Sequence, residues 1–98
     1  MIDLADNNTM PTAVSLGSAY PNPFNPTTMI NYSVPADMNV SLSIYDMRGR
    51  LINELVNDLR EQGSYQINWN ADQHASGIYM IKLVAGNTVQ TQKIMLVK

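Results

Sequence analysis

An all-β fold, an antiparallel sandwich of about seven short strands, is predicted by three observations. Apolar and polar residues alternate with period two through successive stretches of the chain. Clusters of Gly, Asn, Asp and Pro separate those stretches at short intervals. No stretch sustains the spacing of an amphipathic helix, and there is no internal repeat or heptad. The 98 residues suit one small domain around a single core.

The elements follow in order. Residues 1–13 are polar, contain Asn7-Asn8-Thr9 and Pro11, and lack periodicity, so they are expected to form a disordered linker to a larger protein, with the folded domain over 14–98. In Tyr20-Pro21-Asn22-Pro23-Phe24-Asn25-Pro26 each proline fixes φ and drives its predecessor out of the helical region. The segment therefore reads as an irregular clasp, with Tyr20 and Phe24 expected to pack on the core. From Thr28, Ile30, Tyr32 and Val34 alternate with Met29, Asn31 and Ser33 until Pro35 ends the first strand. Val40, Leu42 and Ile44 alternate with Asn39, Ser41 and Ser43, which predicts a half-buried strand over Met38 to Asp46. Met47-Arg48-Gly49 turns the chain, with Gly49 suited to positive φ, into a partner strand from Arg50 to Val56. Leu51-Ile52 and Leu55-Val56 also fit a helical face. Asn57 to Gly63 reads as a loop. Tyr65, Ile67 and Trp69 define the next strand, Asn70 to Ser76 a turn-rich loop, and Gly77 to Val84 and Thr88 to Lys98 a terminal hairpin through Ala85-Gly86-Asn87. Strand number and spacing make the sandwich Ig-like, although the Cys–Trp–Cys signature is missing.

Composition excludes several classes of function. Charged residues make up 14% of the chain, well below the usual ~25%, and the net charge is −2. No basic stripe exists to meet a phosphate backbone, so nucleic acid is not an expected partner. Cysteine is absent, which removes disulfides, thiolate metal sites and thiol nucleophiles together. The first residues lack the basic and apolar regions of a signal peptide. No run reaches the ~18 apolar residues of a membrane span.

The search for chemistry points away from catalysis. His74 is the only histidine and has no nucleophile motif or second ligand beside it, so a solvated loop histidine is expected. Asn68, Asn70 and Asp72 alternate like part of a calcium loop, but the central Gly and closing Glu are missing, and Asx-turn chemistry fits better. Asp46 sits where Arg48 or Arg50 can pair with it. Trp69, Tyr65 and Tyr79 raise a sugar-binding platform, which their alternation with polar residues disfavours relative to burial. Tyr45, on the polar face of its strand, is the aromatic expected to be exposed and available to a partner or glycan. No cofactor, metal or catalytic residue is predicted. The sequons Asn7-Asn8-Thr9, Asn31-Tyr32-Ser33 and Asn39-Val40-Ser41 matter only on a eukaryotic secretory route.

Four motifs stand in order: Tyr20-Pro21-Asn22-Pro23-Phe24-Asn25-Pro26, Ile44-Tyr45-Asp46-Met47-Arg48-Gly49-Arg50, Ala75-Ser76-Gly77-Ile78-Tyr79 and Lys93-Ile94-Met95-Leu96-Val97-Lys98. With them, the stretch from Leu16 to Lys98 resembles the type A C-terminal sorting domain of the type IX secretion system, carried by cargo proteins of Bacteroidetes-like bacteria. The Trp69 to Ala75 connection is also similar to the Ig-like module of flagellar hook-capping proteins. The first resemblance implies a non-catalytic label on an attached N-terminal cargo. The cargo would cross the periplasm, be read by the outer-membrane translocon and be handed to sortase-like surface machinery, ending secreted or linked to lipopolysaccharide at the cell surface. The motif positions it carries over are Pro21, Asn22, Pro23, Phe24, Asn25, Pro26, Gly49, Gly77, Ile78 and Tyr79, with Lys93, Val97 and Lys98 on the last strand. That strand is expected to offer a sheet edge for β-augmentation, with Lys93 and Lys98 either aiding recognition or discouraging aggregation. The alternative is an accessory Ig-like domain that binds a surface polysaccharide or a partner protein.

Overall fold

The computed structural model describes residues 13–98, and these build a sandwich of two antiparallel sheets with no helix among them. The expected linker over 1–13 lies, apart from Ala13, outside the described residues. The strands are β1 (Ser15–Leu16), β2 (Thr27–Val34), β3 (Met38–Asp46), β4 (Leu51–Arg60), β5 (Gly63–Asn70), β6 (Gly77–Ala85) and β7 (Thr88–Leu96). One sheet has the order β1-β2-β5 and the other β4-β3-β6-β7. The all-β sandwich expected from the sequence is the observed architecture.

Period-two alternation places the core between the sheets. Ile30, Tyr32 and Val34 of β2 and Trp69 of β5 face Val40, Leu42 and Ile44 of β3, Ile81 and Leu83 of β6, and Ile94 and Leu96 of β7, all buried. Each large aliphatic side chain withdrawn from water contributes about 1.5–3 kcal/mol. Phe24, Trp69 and Tyr79 form an aromatic cluster at one end of this core, with centroids 5.7 Å apart for Phe24–Trp69 and 5.5 Å for Trp69–Tyr79.

Two local expectations are corrected. The strand expected to stop at Val56 runs on to Arg60, so most of the supposed loop from Asn57 is ladder: Asn57 pairs with Ser41, Asp58 with Val40, and Arg60 with Met38. Its length is set by β3, whose backbone groups need partners whatever the polarity of the neighbouring side chains. The register shifts between Leu42 and Ser43 and between Ile44 and Tyr45, leaving Leu55 and Ile52 unpaired in the ladder. Two bulges thus explain the helix-like spacing of Leu51-Ile52 and Leu55-Val56. Finally, Tyr20 does not pack on the core. Its backbone exchanges two hydrogen bonds with Met29, at 3.1 and 2.9 Å, while its side chain points outward and is 79% exposed.

The β3–β4 turn follows its sequence chemistry. Gly49 N–H donates to Asp46 C=O at 3.0 Å and Asp46 N–H to Arg50 C=O at 3.0 Å. Gly49 has φ of 84°, as a three-residue hairpin loop with a terminal bulge requires.

Candidate recognition site

β7 is one of the two edge strands of the four-stranded sheet, and its outward backbone groups divide into two halves. The clasp covers the C-terminal half. Phe24 N–H donates to Met95 C=O at 2.9 Å, and Val97 N–H donates to Phe24 C=O at 3.0 Å. Asn22 extends the cover with its side chain: Nδ2 donates to Lys93 C=O at 3.1 Å and Oδ1 accepts from Met95 N–H at 3.0 Å. The proline-flanked segment therefore behaves as a short surrogate strand. Its peptide bonds preceding Pro21, Pro23 and Pro26 are all cis. Thr28 Oγ1 donates to Pro21 C=O at 2.8 Å, and Ala71 N–H donates to Pro26 C=O at 2.8 Å, tying the clasp to β2 and to the end of β5. The Asn25 side chain makes no hydrogen bond among the described residues.

The N-terminal half of the β7 edge is different. Alternation in an antiparallel ladder turns the backbone groups of Val89 and Thr91 outward, the same way as those of Met95. They meet no backbone partner among the described residues. Instead, the intervening residues join the two sheets. Gln90 Oε1 accepts from Leu16 N–H at 2.7 Å and its Nε2 donates to Val14 C=O at 3.0 Å. Gln92 repeats the pattern with Ala19 N–H at 2.6 Å and Gly17 C=O at 2.7 Å. These amides act as a side-chain ladder that closes the sandwich along one side. Two glutamines on the inward-facing parity of a strand were the available signal for it.

The other motif residues serve chiefly to shape this end of the molecule. Gly77 has φ of 152° where β6 begins, opposite Leu96. Tyr79 is buried and its hydroxyl donates to Ala75 C=O at 2.6 Å, fixing the loop before β6. His74 lies in the same loop, half-buried, with its ring 5.6 Å from that of Trp69. Asn70 Oδ1 accepts from Asp72 N–H at 2.9 Å, an Asx-type turn. Lys98 Nζ donates to Asp72 C=O at 2.8 Å and Lys98 N–H to Ser76 Oγ at 3.2 Å, so the last residue is anchored to the β5–β6 loop. Trp69, 2% exposed, offers no face to a sugar.

On the outer face of the same sheet, Tyr45, Met80 and Lys93 lie side by side across β3, β6 and β7. They line a shallow depression of about 470 Å³ together with Ile78 and Lys82. Tyr45 is half-buried there, with Lys82 Nζ 5.8 Å from its ring centroid. The more exposed aromatic is Tyr20, because the side chains of Met80 and Lys82 flank Tyr45 on a crowded central strand. At the adjacent turn Asp46 accepts from the N–H groups of Arg48 and Arg50, at 2.9 and 3.0 Å, and from Arg50 Nε at 3.0 Å. The Arg50 backbone N–H, aided by its guanidinium and by Arg48 N–H, holds the carboxyl below its ordinary 3.8.

A family model described as the secretion system C-terminal sorting domain matches residues 18–98. Among solved structures, the chain is similar to PorZ, an essential bacterial surface component of the type IX secretion system of the human oral bacterium Porphyromonas gingivalis. The TM-score is 0.58 at 22% identity, over 87% of this chain and 11% of that one. That likeness shows a shared fold. No curated protein sequence matches the chain.

Proposed function

The chain belongs to the secretion system C-terminal sorting domains, and from that premise we propose that it is a non-catalytic module directing an attached N-terminal cargo across the outer membrane through the type IX translocon. The sorting signal implies export to the cell surface or beyond it. In this reading the cargo passes through the periplasm, the folded domain is read by the translocon, and surface machinery of sortase type then attaches the cargo to lipopolysaccharide or releases it. The observation that carries the reading is the position of β7 at a sheet edge with the backbone groups of Val89 and Thr91 unpaired among the described residues. A partner strand adds to such an edge through main-chain hydrogen bonds. The clasp restricts the pairing to this half, because Asn22 and Phe24 already occupy the groups from Lys93 to Val97. Lys93, Val97 and Lys98 then act through their side chains, or by holding the edge in place.

The test fuses residues 14–98 to a signal-peptide-bearing periplasmic reporter in a type IX-competent bacterium. Thr91→Pro removes one outward N–H at an edge, where proline is tolerated. Surface display by the parent fusion and its loss in the proline variant, with the variant's Trp69 emission unchanged, is the expected result. A parent reporter that stays in the periplasm overturns the reading.

One observation favours a second reading, an accessory domain for a neutral surface polysaccharide. The outer face of β1-β2-β5 carries Ser15, Asn31, Ser33, Ser64 and Gln66 around a groove of about 580 Å³, and Asn31 Oδ1 is buried there without a hydrogen-bond partner among the described residues. Binding of an uncharged glycan that is lost in Asn31→Ala supports it; no binding across a broad glycan panel removes it.

A further inference from the structure

The depression on the outer face of β3, β6 and β7 combines three properties that point to one kind of ligand. Its floor is apolar and adaptable: Tyr45, Ile78 and Met80 lie on neighbouring strands, and Met47 and Met95 extend the patch, 75% and 42% exposed. Methionine-bearing surfaces repack around varied apolar side chains. Lys82 on β6 and Lys93 on β7 supply the positive charge of its rim, while the one carboxylate that lines it, Asp46 where β3 ends, is paired with Arg50. Neither lysine has a carboxylate partner among the described residues, whose ion pairs are Asp46–Arg50 and Asp58–Arg60.

The spacing narrows the choice. Lys93 is registered against Met80 and Lys82 against Thr91, so the two lysines occupy diagonal positions on one face of adjacent strands. Diagonal neighbours in a sheet lie roughly 7–8 Å apart. Alternate residues of an extended chain recur at about 6.6 Å on one side. We propose that this face binds an extended segment of a partner protein that presents two carboxylates two residues apart to Lys82 and Lys93, and an apolar side chain to the floor formed by Tyr45, Ile78 and Met80. The proposal rests on the sorting reading for its partner, which is a component of the export machinery. A polyanionic saccharide meets the lysines equally well, but beyond the Tyr45 and Thr91 hydroxyls the floor is apolar and supplies little for its hydroxyl groups. The face is separate from the β7 edge, so strand addition and acidic-segment docking are compatible on one partner.

The test titrates the isotopically labelled chain with a synthetic peptide, Ser-Glu-Thr-Glu-Thr-Leu-Ser, with its Gln-for-Glu counterpart, and with dextran sulfate. Amide resonances of Tyr45, Met80, Lys82 and Lys93 are expected to move with the acidic peptide and not with the neutral one. Binding is expected to weaken about fivefold in the Lys82→Gln/Lys93→Gln double variant, as for the loss of two exposed ion contacts, and to stay within about twofold in Arg60→Gln. Absent shifts, shifts elsewhere, or tighter binding of dextran sulfate to the same face overturns the proposal. In the reporter assay the double variant, with its fold verified by the same spectra, is expected to lose surface display. Display at the parent level overturns the assignment to the export machinery, whereas a parent fusion that is itself not displayed counts against the sorting reading instead.

Discussion

Replacing Gln92 by leucine removes the more tightly bonded rung of the ladder that joins β7 to the chain beside β1. The substitution keeps side-chain size while depriving Ala19 N–H and Gly17 C=O of the partners they now meet at 2.6 and 2.7 Å. Leaving a buried backbone group unpaired costs about 1–3 kcal/mol. Because Gln92 is half-buried, the lower part of that range applies to each group, and the expected loss is about 2–3 kcal/mol in total. For a domain of this size that corresponds to a fall in Tm of about 8–24 °C. Urea unfolding followed by Trp69 fluorescence measures it well, since the only tryptophan is buried in the core. Gln92→Glu refines the test: its carboxylate still accepts from Ala19 N–H but has no proton for Gly17 C=O. Its deficit against the parent at the same pH is therefore expected to be larger at neutral pH than below the carboxylate range. A leucine variant within about 0.5 kcal/mol of the parent would refute the reasoning, because that is the range of an ordinary surface substitution.

Four further outcomes are expected. Phe24→Ala, at a side chain 2% exposed against Trp69, loses about 3–5 kcal/mol in the same urea titration. Tyr20→Ser, two prolines earlier but 79% exposed, stays within about 0.5 kcal/mol of the parent. Gly49→Val costs about 1–2 kcal/mol through backbone conformation alone, since φ is 84° and an added Cβ meets nothing within 4 Å among the described residues. The Asp46 carboxyl, held below its ordinary 3.8, binds protons less readily in the folded chain than in the unfolded one. Its contribution is therefore complete above that value and is lost as pH falls through the lower folded value. Amide exchange at Arg48 and Arg50, bonded to Asp46, is expected to accelerate in acid before the core amides do; simultaneous acceleration would remove Asp46 as the cause.

Much of the fold is legible in the residues because the signals are local. Period two in Ile30-Asn31-Tyr32-Ser33-Val34 and in Val40 to Ile44 assigns each side chain to a face, and the observed burial follows it. Met47-Arg48-Gly49 carries its own turn, since glycine is needed where φ is positive. The candidate site was legible only in pieces. The proline clasp, Tyr45 and Lys93 each stand out in the sequence. Nothing along the chain says that Asn22 and Phe24 occupy the β7 edge, or that Lys82 and Met80 complete the surface around Tyr45.

Sequence by itself therefore determined the all-β class, the inward and outward faces of the strands, the hairpin turns and the family, because alternation, backbone restriction and motif order act within a few residues of their cause. Tertiary structure decided what depends on a distant partner. It set how far β4 continues, where its two bulges fall, that Phe24 packs inward while Tyr20 does not, and which half of the β7 edge the clasp covers. Each of these is settled by which backbone groups and side chains across the sandwich remain to be satisfied, and that information resides in residues tens of positions away.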